Sequence, residues 1–218
     1  MSASLPFPED AAPPLRRCGL DEVGRGALAG PLVAAGVILP ADIMVRLGEH
    51  GRFLRDSKTV PRERRREMAD LLTQHALVVE IMVMPVELIN EHGIGWANRE
   101  AFRRLIVTIS ADEYVVDGKI KPATSLDRSA RVRCQVKADA QVPEVAAASL
   151  VAKVYRDGIM AELHREFPLF GWDRNAGYGT TAHLAALRQY GGASPHRLLF
   201  IQTALSGSRK RPQGPDQD

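Results

Sequence analysis

Apolar and polar positions along this chain fall into short runs that alternate between strand and helix periods. Arg17 to Glu22 reads as a short strand. Leu32 to Leu39 reads as a second, rich in valine and isoleucine though weakened by Ala34, Ala35 and Gly36. Pro61 begins a helix at a favoured first position, running to about His75. Leu77 to Met84 (LVVEIMVM) is almost continuously apolar, the pattern of a strand buried on both faces. Pro85 opens a short helix. Across Trp96 to Ile109, the residues Ala97, Ala101, Leu105 and Thr108 recur at helical spacing. Tyr114 to Val116 is a strand that ends on Asp117-Gly118, and Val132 to Val136 is another. Pro143 opens the longest helix, through about Glu166. Thr180 or Thr181 caps a helix to Tyr190, which Gly191-Gly192 terminates. Strands interleaved with helices predict an α/β domain: a mixed sheet flanked by helices, with a helical C-terminal part.

Length and composition add bounds. A chain of 218 residues, 45% hydrophobic and 25% charged, suits one domain with a sizeable core, expected over residues 16–205. The Pro-rich segment 1–15 and the polar segment 206–218 are expected to be disordered. The longest apolar run, Ala27 to Leu39, is broken by Gly30, Pro31 and Gly36 and is too short for a membrane span. Met1 to Pro14 has neither a basic nor an apolar leader region, so a cytoplasmic location and reduced Cys18 and Cys134 thiols are expected. Net charge is +3, a mild bias that permits a polyanionic partner without requiring one. Eight of the 29 basic residues lie between Arg46 and Glu67, against four acids there. By itself that stretch reads equally as a solvated mixed-charge face. The six histidines show no zinc-like spacing and are expected in surface or supporting roles.

Candidate chemistry changes the picture. Asp21-Glu22-Val23-Gly24-Arg25-Gly26 places two carboxylates at the end of a strand, followed at once by a glycine-arginine-glycine turn. Carboxylates hold hard divalent cations, and a glycine-flanked backbone can approach a phosphate or sugar closely. Asp117-Gly118 repeats the pattern, and carboxylates at the ends of adjacent strands share a crevice. Read alone, Asp117 is equally a turn residue before glycine. Adjacent Asp21 and Glu22 point to opposite faces of an ideal strand, so Glu22 must sit at its end to join. A third carboxylate comes from Asp139, just ahead of Pro143, or from Asp127 in a Ser/Arg-rich loop. Ser149 and Lys153 are four apart and share a helix face. Lys153 reads either as a phosphate contact or as a side chain snorkelling from a packed helix.

Five segments in order, GLDEVGRGALAGPLVAAGVIL from Gly19, DSK at 56–58, VDG at 116–118, KADAQVPEVAAASLVAKV at 137–154 and GYGT at 177–180, resemble bacterial ribonuclease HII, a type 2 ribonuclease H. The resemblance runs from about residue 17 to 200. It implies a ribonuclease H-like fold, endonucleolytic cleavage of RNA paired with DNA, and incision at single ribonucleotides embedded in duplex DNA. It implies Asp21, Glu22, Asp117 and Asp139 as catalytic metal ligands, choosing Asp139 over Asp127. Two divalent ions, Mg²⁺ or Mn²⁺, are implied in the substrate complex. Gly24, Arg25 and Gly26 match the family's ribose-sensing turn and Tyr178 its junction-sensing tyrosine; Ser57, Lys58 and Lys153 match positions near the substrate. Family members often carry a lysine immediately before the GYG segment. This chain has Ala176 there, with Arg174 two residues earlier. The implied partner is nucleic acid, with no membrane, and the implied state a monomer.

Rival readings have specific discriminators. A ribonuclease HIII would need an extra substrate-binding domain, and only 20 residues precede Asp21. A junction resolvase of the same broad fold does not call for the glycine-arginine-glycine turn or the GYG segment. A non-catalytic hybrid-binding module would need a missing ligand, whereas all four carboxylates are present.

Overall fold

The strand that closes on the paired carboxylates, β1 (Arg17–Val23), is the middle strand of the sheet in this computed structural model, which describes residues 15–54, 61–119 and 131–206. Ser57, Lys58 and Asp127 lie outside the described residues, as do the segments expected to be disordered except Leu15 and Ser206. The other strands are β2 (Leu32–Ile38), β3 (Val78–Met84), β4 (Glu113–Asp117) and β5 (Arg131–Gln135), and the order is β3-β2-β1-β4-β5. β1–β2 and β2–β3 pair antiparallel, while β1–β4 and β4–β5 pair parallel. The mixed sheet expected from the sequence is therefore split at β1.

Alternation sorts the core onto two faces. Leu32, Ala34 and Ile38 of β2, with Cys18 and Leu20 of β1, meet α3 (Val86–His92) and α4 (Ile94–Thr108) through Ile89, Phe102, Leu105 and Ile106. Val33, Ala35 and Val37 face α1 (Ile43–Leu47), α2 (Arg62–His75) and α5 (Pro143–Glu166). α5 lies close on the sheet because its contact face is small: Ala146, Ala147, Ala148 and Ala152 are all fully buried. Gly19 sits directly beneath the backbone of Glu144 and Val145, where any Cβ would collide. A third cluster under the C-terminal helices α6 (Trp172–Asn175), α7 (Thr181–Tyr190) and α8 (Leu198–Leu205) gathers Leu28, Ala29, Met160, Phe170, Trp172 and Leu187.

Several expectations shift. β3 is an edge strand rather than a strand buried on both faces. Val78 and Met82 touch one cluster and Val79, Ile81 and Val83 the other, but only Met84 is fully covered and Glu80 is exposed. Pro61 caps α2 from outside rather than occupying its first turn, and Thr180, accepting from His183 N at 3.3 Å, is the cap of α7. α5 spans the range that Pro143 predicted. Cys18 and Cys134 are not joined in a disulfide, as expected. Among the described residues no helix is long and apolar enough to cross a membrane.

Candidate active site

The parallel register of β1 and β4 decides where the carboxylates meet. Leu20 stands opposite Val116, so the next position along each strand pairs Asp21 with Asp117 at the same end of the sheet. Asp21 and Glu22 leave β1 on opposite faces, and each finds a helix there. Asp21 accepts hydrogen bonds from Ser149 on α5 and from the Glu22 backbone N–H, the latter at 2.8 Å. Glu22 accepts from the amide of Asn98 on α4 and meets Arg25 at 3.4 Å. Asn98 is 1% exposed and its Oδ1 has no hydrogen-bond partner among the described residues. Nothing in the apolar periodicity of α4 singled it out. Asp117 Oδ1 accepts from Ala138 N at 2.8 Å, which ties β4 to the one-turn helix Ala138–Ala140 that carries buried Asp139. Lys137, left-handed at φ 59°, makes the bend into that turn.

Glu22, Asp139, Ser149 and Lys153 line one cleft of about 180 Å³, with Arg65 of α2 at its rim. Lys153 pairs with Asp157 one turn along α5. An adjoining cleft holds Lys153, Arg65 and the exposed Arg174. Arg174 thus offers positive charge beside the position where Ala176 stands. Ala176 itself is left-handed at φ 48°, and its carbonyl is turned inward to accept from Arg156.

Burial, reinforced by neighbouring negative charge, is the main electrostatic fact. Burial pushes the Asp21 carboxyl up to about 8, and the negative charges of Glu22 and Asp117 add to the rise. Glu22 is raised as well, first by burial and then by Asp117, against relief from Arg25 and Asn98. Carboxylates crowded in this way, offering only oxygen donors, suit a hard divalent cation. They are not a finished cage. Among the described residues no three acidic, histidine or cysteine side chains are already placed to hold one ion.

The glycine turn has a different construction. Gly24 has φ 93°, and a Cβ there would strike the guanidinium of Arg156. Gly26 has neither a left-handed backbone nor any atom within 4 Å of where a Cβ would stand, so no internal packing excludes a side chain there. A side chain there would project into open space. Tyr178 is 37% exposed, with its ring 5.7 Å from the Arg156 guanidinium.

Two fully buried arginines brace this region, and the sequence pattern did not reveal either. Arg156 donates to the carbonyls of Pro31, Ala29 and Ala176 at 2.9, 3.0 and 2.8 Å. Arg197 donates to Gly30 and Arg25. Of the surface or supporting places expected for the histidines, His183 and His196 do not take the surface one: they are 0% and 1% exposed. His183 Nδ1 donates to the Tyr178 carbonyl at 3.0 Å, leaving its Nε2 to accept from Trp172 Nε1 and His196 Nε2, both at 3.1 Å. His196 Nδ1 accepts from Ala193 N. Each ring needs one proton for this arrangement, and burial lowers both imidazoles, His196 to about 4.

The ribonuclease HII family model matches residues 18–203. The chain belongs to the ribonuclease HII family. Ribonuclease HII of Burkholderia pseudomallei (strain 668) is 40% identical over 186 residues, 84% of this chain and 82% of that protein. Ribonuclease HII of Clostridium botulinum (strain Loch Maree / Type A3) is 34% identical over 86% of this chain and 68% of that protein. The solved ribonuclease H2 of Pyrococcus horikoshii OT3 superposes with a TM-score of 0.74 at 25% identity, covering 90% of this chain and all of that one. The RNase HII in the PCNA:RNase HII complex of Archaeoglobus fulgidus gives 0.70 at 25% identity, covering 93% and 98%. Bst-RNase HIII in complex with Mn²⁺, at 20% identity and a TM-score of 0.68, shares the fold. As a ribonuclease HII family member the chain is a metal-dependent ribonuclease, a hydrolase, with ribonuclease H endonuclease activity on RNA/DNA hybrids.

Proposed function

We propose that this ribonuclease HII hydrolyses the phosphodiester on the 5′ side of a ribonucleotide, in hybrids and at single ribonucleotides embedded in duplex DNA, leaving 3′-hydroxyl and 5′-phosphate ends. The observation that carries this reading is the meeting of Asp21 and Asp117 on adjacent parallel strands, with Glu22 beside them and Asp139 on the same cleft. These four carboxylates would hold two Mg²⁺ or Mn²⁺ ions. The chemistry expected of two ions held there is activation of water for in-line attack and stabilisation of the departing 3′-oxygen. The chain's own groups set the position. Ser149 and Asn98 fix the rotamers of Asp21 and Glu22 by hydrogen bonds to their carboxylates. Lys153, Arg174 and Arg65 face approaching phosphates from one side.

Selectivity must read the 2′-hydroxyl, the group that separates RNA from DNA locally. Gly26, open above its Cα, lets a ribose approach the backbone of the Gly24-Arg25-Gly26 turn. Tyr178 offers an exposed ring for the next sugar, where a deoxyribose packs without a hydroxyl to desolvate. A 5′-labelled DNA duplex containing one ribonucleotide, incubated with Mg²⁺ or Mn²⁺, should yield one product ending in a 3′-hydroxyl immediately before the ribonucleotide. Cleavage of a continuous hybrid with the embedded ribonucleotide left intact would overturn the junction reading. Tight binding without cleavage would make the chain a hybrid-binding module.

A further inference from the structure

The glycine turn and the tyrosine loop are far apart in sequence, yet one side chain touches both. Arg156 lies under Gly24, donates to Ala29 and Pro31 just beyond the turn, donates to Ala176 at the start of the tyrosine loop, and faces the Tyr178 ring. Backbone bonds complete the joint: Leu28 N donates to the Gly177 carbonyl at 2.8 Å. Gly177 cannot carry a Cβ, which would meet Ala29 O, so the two segments are in backbone contact. Arg156 is 0% exposed, and its hydrogen bonds all go to carbonyl oxygens. A buried guanidinium held this way is rigid, because moving either segment strands a charged donor. Arg197 gives an internal comparison. It is equally buried and also braces the turn, but among the described residues its side-chain hydrogen bonds go to Arg25 and Gly30, and it meets Tyr178 only through charge, with no hydrogen bond to the tyrosine loop.

We propose that Arg156 is a positioning residue that couples the Gly24–Gly26 turn to Tyr178, so that the two sugars flanking the junction are read as one unit rather than by two independent contacts. The inference rests on the junction reading above. It assigns to Arg156 no contact with substrate and no part in the chemical step. Tilting the turn tilts the tyrosine loop through the fork of one guanidinium, whose five N–H groups a lysine cannot reproduce.

A double-mutant cycle tests it, using kcat and KM on two substrates, a duplex with one embedded ribonucleotide and a continuous RNA/DNA hybrid. Arg156→Lys keeps the charge and loses the fork. It should lower kcat/KM on the single-ribonucleotide duplex about tenfold more than on the hybrid. Adding Tyr178→Ala should then cost little more, because the reader is already displaced. Arg197→Lys should combine with Tyr178→Ala multiplicatively, since it braces one segment only. Equal losses on both substrates, or multiplicative effects of Arg156→Lys and Tyr178→Ala, would overturn the coupling. The parent protein separates this from the junction reading: a parent that leaves the single-ribonucleotide duplex uncut removes both, whereas a parent that cuts it with independent Arg156 and Tyr178 effects removes the coupling alone. Where Arg156→Lys melts too low to assay, Gly24→Ala, which drives a Cβ into the same guanidinium, takes its place with the same expected pattern.

Discussion

Between about pH 4 and pH 8, Asp21 holds its proton in the metal-free folded chain and has released it in the unfolded one. Its carboxyl titrates near 8 when folded, against about 3.9 for an unperturbed aspartate. The sign follows directly. Below about pH 4 both states are protonated and the site costs nothing; as pH rises toward 8 the unfolded chain ionises first, and folded stability falls by an amount on the order of several kcal/mol. Asp21→Asn removes the effect. In EDTA the variant should melt above the parent at pH 8, with the gap closing toward pH 4 in a series of thermal melts. A gap of constant size across that range would show that burial and the neighbouring charges do not set the Asp21 proton. At this scale the sequence revealed the acidic residues, because carboxylates at strand ends announce themselves. It did not reveal Arg156, Arg197 or Asn98. Each has the polarity of a surface residue, and its burial comes from carbonyls or a carboxylate contributed by distant segments. His183 and His196 were missed for the same reason, since their partners include each other and Trp172.

Between elements, the decisive contact is β1 against α5. Gly19 lets the helix sit on the strand, and that distance places Ser149 within reach of Asp21. Gly19→Ala must push backbone from backbone. It should destabilise by about 1–3 kcal/mol, read as a lower denaturant midpoint, and should weaken catalysis beyond the stability loss by separating Ser149 from Asp21. A midpoint and turnover equal to the parent's would mean the helix can shift freely. α5 was legible from end to end because Pro143 and its alanine run mark it plainly. β3 misled because continuous apolar residues suggest an interior strand, while the structure uses them to touch both core layers from the edge. α8 escaped notice because its leucines do not form a buried face: Leu198 and Leu199 are 57% and 69% exposed.

For the whole molecule, the split sheet explains how the carboxylates of the proposed site gather at one end. The parallel half of the sheet brings the ends of β1 and β4 together, and the C-terminal helices carry the tyrosine loop against the turn that follows β1. Basic side chains Arg65, Lys153 and Arg174 stand beside the acidic cleft, a local arrangement that the mild net charge of +3 concealed. A polyanion can therefore be held beside carboxylates that would repel it when metal-free. The account depends most on those carboxylates acting through metal, and Asp117 is the member whose backbone anchor, Ala138 N, an asparagine can still accept from. Single-turnover cleavage of the one-ribonucleotide duplex by Asp117→Asn in saturating Mg²⁺ tests that dependence. The prediction is a parent-like melting temperature with cleavage slowed by at least about a hundredfold; a rate near that of the parent would contradict the metal role of the cluster.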